Sequence, residues 1–162
     1  MNATNPPRRR VLFVCTHNSA RSQMAEGMVR AWSGDRFEAF SAGTEATGVR
    51  PEAIAVMAEI GVDISAQRSK TIEPFLGQEF DWLITVCDQA KEACPTLPGV
   101  ENQAHWSIDD PAAVSGSPEE RMQAFRDARD LLRNRIHIFL LAGGREDLAP
   151  PEPTRLGNAS GL

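Results

Sequence analysis

Hydrophobic positions along this chain fall into two kinds of block. Val11-Leu12-Phe13-Val14 and Trp82-Leu83-Ile84-Thr85-Val86 are continuous apolar runs rich in β-branched and aromatic residues, as expected of strands buried on both faces. Phe37 to Ala42, closed by Gly43, is a third short strand, and Gln103 to Trp106 a weaker fourth. Between the strands the apolar positions step by three and four. Met24, Met28, Ala31 and Trp32 mark a helix ended by Gly34. Pro51 opens another, with Ile54, Met57 and Ile60 as its apolar stripe before Gly61. Ser117-Pro118-Glu119-Glu120 has the form of a capping box, and Met122, Phe125, Ala128, Leu132, Ile136 and Phe139 then trace one face of a long helix that stops at Gly143-Gly144. Ser65 to Gly77 reads as loop with a short helix. Asp88 to Cys94 is helical or irregular and runs into Pro95 and Pro98-Gly99.

Strands separated by helices call for parallel crossovers, so the expected fold is α/β, a single domain with a small sheet of about four parallel strands flanked by helices. Residues 10–144 form that domain, with a disordered lead-in at 1–9 and a disordered tail at 145–162, where three prolines and two glycines leave little to bury. In parallel sheets ligands gather at the carboxyl ends of the strands. Cys15 ends the first strand and Cys87 the third.

A length of 162 residues suits one domain, and 41% hydrophobic with 24% charged residues is ordinary for a water-soluble globular chain. The longest strongly apolar stretch, Ile136 to Ala142, falls far short of the ~20 residues of a membrane span. No apolar signal segment follows the basic start, so membrane and secreted classes are set aside and a cytoplasmic, monomeric protein is expected. Net charge is −5, and Arg8, Arg9 and Arg10 make the rest of the chain more acidic still. Such a body is a poor partner for nucleic acid, and the arginine run reads as a solvated lead-in. Three cysteines is an odd number, and the cytosol would keep them reduced.

The segment Cys15-Thr16-His17-Asn18-Ser19-Ala20-Arg21-Ser22 places a thiol at a strand end, a short polar loop, and then a helix start. A loop wrapped around a helix N-terminus points backbone N–H groups into one concavity, which suits a tetrahedral oxyanion. Arg21 adds a planar fork for two anion oxygens. The same positive field favours the thiolate of Cys15, making it the nucleophile. Ser22 is placed to hydrogen-bond that sulfur, and Asn18 suits the left-handed backbone such a loop needs at one position.

Val11 to Gly27, VLFVCTHNSARSQMAEG, resembles the phosphate-binding loop of the low-molecular-weight protein tyrosine phosphatases and their relatives, the thioredoxin-coupled arsenate reductases. Ser41-Ala42-Gly43, Thr85-Val86-Cys87-Asp88, Ala93-Cys94-Pro95 and His105-Trp106-Ser107-Ile108-Asp109-Asp110-Pro111-Ala112 extend the resemblance in order and favour the reductases. It implies reduction of arsenate to arsenite, with phosphate and sulfate as competing oxyanions bound by Thr16 to Ser22. Cys15 forms a thiol–arsenate adduct, Cys87 attacks Cys15, and Cys94 attacks Cys87 to leave a Cys87–Cys94 disulfide. Reduced thioredoxin, supplied ultimately by NADPH, would reopen it, and no cofactor is bound. Were Cys87 to Cys94 helical, their α-carbons would stand about 10 Å apart, whereas a disulfide tolerates at most ~7 Å. The segment must therefore rearrange on oxidation.

The resemblance makes Asp110 the general acid, with Asp109 its competitor. His17 is a charge-tuning residue or a solvent-facing spacer, His105 a packed or hydrogen-bonded histidine, and His137 structural. No Cys/His spacing matches a zinc site. Some reductases of this type hold potassium near the positions of Asn18, Glu26 and Ser41, with a carboxylate where Lys70 stands here. The expectation is that the Lys70 ammonium takes the ion's place and that no metal is bound. The main alternative is a tyrosine phosphatase working through a phosphocysteine at Cys15. Against it, the chain has no tyrosine, and position 112, after the Asp-Pro pair, is alanine. Resolution of the adduct by a small thiol, with Cys87 and Cys94 uninvolved, is a second, and a non-enzymatic sensor of arsenite or oxidants a third.

Overall fold

The computed structural model describes residues 8–88, 97, 99–100 and 102–143. Four strands, β1 (Arg9–Cys15), β2 (Phe37–Gly43), β3 (Trp82–Thr85) and β4 (Asn102–His105), form one sheet in the order β2-β1-β3-β4. Every neighbouring pair is parallel. The α-helices are α1 (Arg21–Trp32), α2 (Pro51–Ala58) and α3 (Pro118–Leu141), with short 3-10 turns at Glu73–Phe75 and Pro111–Ala113. The chain is thus the small α/β domain its pattern predicts.

The run Val11 to Val14 lacks alternation because both faces of β1 are covered. Val11, Phe13 and Cys15 point into the larger core with Met24 and Met28 of α1, Val56 and Met57 of α2, and Phe125, Leu132 and Phe139 of α3. Leu12 and Val14 point the other way, into a smaller core with Phe75, Phe80, Leu83, Leu97 and Val100. All three described α-helices contribute to the core on one face; among the described residues the other face is covered by Phe75 of the 3-10 turn with Phe80, Leu97 and Val100. Phe40, Phe75 and Phe80 meet edge to face on that second side, with centroids 5.7 to 6.0 Å apart.

Several details depart from the sequence pattern. Of the arginine run only Arg8 stays exposed outside the sheet; Arg9 and Arg10 open β1. Arg10 lies over Phe40 and Phe80 at 4.6 and 4.7 Å and donates to the Glu79 carbonyl at 2.7 Å, a use of the guanidinium that charge counting overlooks. The stripe of α2 is Ala53, Val56 and Met57, with Ile54 and Ile60 only partly buried. Small Ala53 is the residue that permits close packing, and bulk alone misplaces the face. The fourth strand begins one residue earlier than expected, and the long helix buries Arg129 among its apolar residues. The Ser117 capping box forms as read, with Glu120 N–H donating to Ser117 Oγ at 3.1 Å and Ser117 N–H to Glu120 Oε1 at 2.8 Å. The expectation of a rearranging segment between Cys87 and Cys94 falls largely outside the described residues.

Arg129 and Arg126 of α3 both reach Glu59 beyond the end of α2. Hydrogen bonds from Arg126 and Arg129 hold the Glu59 carboxyl at about 2, below its ordinary 4.5. A carboxylate held low in the folded state adds stability above its unfolded value and loses it as pH falls toward the folded one. Thermal unfolding of the native chain and of Glu59→Gln is expected to differ near neutrality, with the gap closing between about pH 4.5 and pH 2. A gap independent of pH would show that the ion pairs contribute nothing.

Candidate active site

β1 has β2 on one side and β3 on the other, so the connections leave it in opposite directions and a crevice opens at its carboxyl end. Cys15 is the last residue of β1 and is paired with Gly43, the last of β2. Cys87 follows two residues after the end of β3, where Val86 N–H still donates to the Val14 carbonyl at 2.9 Å. Both cysteines are buried. Cys15 is a free thiol, whereas Cys87 is disulfide-bonded. Cys94 lies outside the described residues.

From Cys15 the chain turns through Thr16 to Ala20 into α1, and the outward side of that loop is satisfied carbonyl by carbonyl. Glu45 N–H and Thr44 Oγ1 both donate to Thr16 O at 3.0 Å. Ser69 Oγ donates to His17 O at 3.3 Å, Gln23 Nε2 to Asn18 O at 3.2 Å, Arg50 N–H to Ser19 O at 2.9 Å and Met24 N–H to Ala20 O at 2.8 Å. With each carbonyl from Thr16 to Ala20 turned back into the protein, planar trans peptides direct the N–H groups of those peptides the opposite way, and the N-terminus of α1 adds positive potential beside them.

Asn18 fixes the curvature. It is the only described non-glycine residue with positive φ, at 49°. Its fully buried carboxamide donates to Ser22 Oγ at 2.8 Å and accepts from Gln23 Nε2 and Lys70 N–H, each at 2.7 Å. Ser22 Oγ lies 2.9 Å from Cys15 Sγ, so the asparagine orients the hydroxyl that meets the sulfur.

Arg21 and Asp110 come from distant parts of the chain. The Arg21 side chain is buried; Nη1 donates to the Ile108 carbonyl at 3.0 Å, and Nη2 lies 3.8 Å from Asp110 Oδ2. Asp110 caps the 3-10 turn Pro111–Ala113 by accepting from Ala112 N–H at 2.9 Å. Asp109 beside it is exposed and Asp110 only partly so, which leaves Asp110 as the carboxylate facing Arg21. His17 is half-buried. His105 Nδ1 shares a hydrogen bond with Thr85 Oγ1 at 2.6 Å, and His137 packs its ring 4.9 Å from that of Trp32.

Beneath the loop, Glu26 is a buried carboxylate that accepts from Ser41 Oγ and Arg30 and has Lys70 Nζ 3.7 Å away. The same ammonium donates to the Arg68 carbonyl at 2.6 Å. Burial lowers the Lys70 pKa, and Glu26 opposes that shift. The Lys70 ammonium thus supplies a positive charge beside the buried Glu26 carboxylate. Among the described residues no cluster of histidine, cysteine or carboxylate side chains has the form of a metal site.

The pattern of the chain did not disclose Gln23, Gln67 or Arg50. Gln23 is fully buried and is held by Gln67 Nε2, which donates to its carboxamide oxygen at 2.7 Å. A polar residue on the buried face of α1 carries no periodic signal; only its neighbours show that it braces the loop. Gly43 appeared as a strand end, but a Cβ there would meet Thr16 O at 2.7 Å, Asn18 N at 2.8 Å and Cys15 O at 2.9 Å.

The sequence profile of the low molecular weight phosphotyrosine protein phosphatase family matches residues 10–149. The chain belongs to that family. Within it, the chain is 45% identical to an arsenate reductase of Halalkalibacterium halodurans, over 82% of this chain and 96% of that protein. A solved arsenate reductase in the phosphate-binding state superposes with a TM-score of 0.70 at 34% identity, covering 82% of this chain and 97% of the other. A thioredoxin-dependent arsenate reductase of Corynebacterium glutamicum superposes at 0.56 and 26% identity, covering 83% of this chain and 64% of that one. The loop described above lies inside the region common to the family.

Gly43→Ala drives a methyl group into three backbone atoms of the loop and is expected to cost about 1–3 kcal/mol in urea unfolding. Phosphate should raise the melting temperature of the native chain and leave that of Gly43→Ala almost unmoved. Equal protection of both would mean that the close approach of Gly43 does not shape the oxyanion loop.

Proposed function

We propose that the chain is an arsenate reductase in which Cys15, Cys87 and Cys94 form a thiol relay that reduced thioredoxin resets. The observation that carries this reading is the pairing of a free Cys15 on an oxyanion loop with a disulfide-bonded Cys87 at the end of the adjacent strand. A phosphatase needs only the first.

Arsenate enters the concavity, its oxygens held by the loop amides of Thr16 to Ser22 and by Arg21. The Cys15 thiolate attacks arsenic; one oxygen leaves as water after taking a proton from Asp110, and an S–As bond forms. Ser22 Oγ, 2.9 Å from the sulfur, stabilises the thiolate before attack and after release. Cys87 as thiolate then attacks the Cys15 sulfur. A Cys15–Cys87 bond forms, the S–As electron pair passes to arsenic, and arsenite departs. Cys94 attacks Cys87 and frees Cys15; the two electrons have gone to arsenic, and the thiols that gave them up end as a Cys87–Cys94 disulfide. A thioredoxin dithiol reopens it, drawing on NADPH, and the chain needs no bound cofactor. The relay suits a monomer in the cytoplasm, where thiols are kept reduced. Among the described residues no helix is long and apolar enough to cross a membrane.

The thioredoxin dependence of the Corynebacterium glutamicum relative supports the choice of reductant. The absence of tyrosine, and alanine at position 112, weigh against a phosphotyrosine substrate, which an aromatic ring beside the acid would stack upon.

With NADPH, thioredoxin reductase and thioredoxin present, arsenate should drive NADPH oxidation by the native chain and not by Cys15→Ser, Cys87→Ser or Cys94→Ser. Hydrolysis of p-nitrophenyl phosphate should survive, slowly, in the last two and vanish in Cys15→Ser. Arsenate turnover retained by Cys87→Ser would remove the relay and leave resolution by an external thiol.

A further inference from the structure

A carboxylate at the start of α2 stands between the two loops that the proposed chemistry brings together. Glu52 Oε2 accepts from Arg50 Nη2 at 3.3 Å and from Arg121 Nη2 at 3.4 Å, so one oxygen serves both guanidiniums. Each arginine has a second grip. The Arg50 backbone N–H donates to Ser19 O of the oxyanion loop at 2.9 Å. Arg121 Nη1 donates to Val114 O at 2.6 Å and to Ala112 O at 3.3 Å, within and just beyond the turn that Asp110 caps.

The bridge therefore runs from the oxyanion loop to the acid loop through a single carboxylate. Its three side chains are partly shielded from water, at 36%, 23% and 24% exposure for Arg50, Glu52 and Arg121, so the charges are less screened than on an open surface. Although burial works the other way, the Glu52 backbone N–H and the two arginines hold its carboxyl below the usual range. Among the described residues Arg50 Nε is buried without a hydrogen-bond partner, and the guanidinium is held through Nη2 by Glu52. Arg21 fixes the near end of the acid loop through Ile108 O, and Arg121 fixes the far end.

We propose that Glu52, acting through Arg121, sets the acid loop at its working distance from the oxyanion loop and is a positioning residue of the reaction. This rests on the reading of Asp110 as the acid. Without the bridge the 112–114 turn is free to swing, Asp110 leaves its place beside Arg21, and protonation of the departing oxygen slows. Oxyanion binding, which uses the other loop, is retained.

Two measurements on the full chain test it. Glu52→Gln is isosteric, and Arg121→Met keeps the stem of the side chain. In hydrogen exchange both should speed exchange of the Ala112 to Val114 amides about tenfold and leave those of α1 unchanged. In rapid-quench assays of arsenite release by reduced protein, Glu52→Gln should lower the maximal first-turnover rate about tenfold with half-saturating arsenate within about twofold of native, and have no further effect in an Asp110→Asn background. Faster exchange confined to 53–58, a loss in half-saturation with the rate intact, or an equal loss with and without the Asp110 carboxyl would each overturn the proposal and leave Glu52 a helix-capping charge. If Asp110→Asn alone leaves the rate unchanged, the acid assignment falls, and the exchange of 112–114 still decides whether the bridge holds the loop.

Discussion

A backbone loop can offer its amides to an anion only if its carbonyls are committed elsewhere, and the site hangs on that constraint. Five consecutive carbonyls, from Thr16 to Ala20, are each taken by a donor behind the loop: Glu45 and Thr44, Ser69, Gln23, Arg50 and Met24. Those donors come from α1 and from the segments after β2, so much of the domain on that side serves as a mould for a few peptides. The buried Asn18 carboxamide and the missing side chain at Gly43 complete it. Left unpartnered, those carbonyls would cost more than the loop could supply by itself.

The sheet order places this mould where it has consequence. With β2 and β3 flanking β1, the Cys15 end of the central strand lies beside the segment that carries Cys87. A thiol and its prospective partner thus come from neighbouring strand ends, far apart in sequence and without any local motif joining them. Arg21 and Asp110 meet in the same way, one from the first helix and one from the loop after the last strand.

Much of this was legible in the chain. Continuous apolar runs gave the buried strands, Ser117 and Glu120 gave the start of α3, and the Cys15 to Ser22 stretch announced a thiol at an anion site. Asn18 was read as left-handed because few other residues tolerate that backbone, and its φ of 49° agrees. What stayed hidden has a common cause. Gln23, Gln67, Arg50 and the Glu52–Arg121 contact act through partners 30 or more positions away or through backbone carbonyls, and neither leaves a period or spacing in the sequence. Arg10 misled for a related reason: a charged residue whose stem covers aromatic rings looks, in one dimension, like a solvated one.

The central claim is that three thiols deliver two electrons to one oxyanion, and counting thiols tests it most directly. Fully reduced protein is mixed with excess arsenate in the absence of any external reductant and quenched in acid. Free thiols are then counted and disulfides mapped by mass spectrometry. The account predicts a fall from the three thiols of the sequence to one, Cys87 joined to Cys94, and one arsenite released per chain. Three thiols remaining, with no arsenite formed, would contradict it.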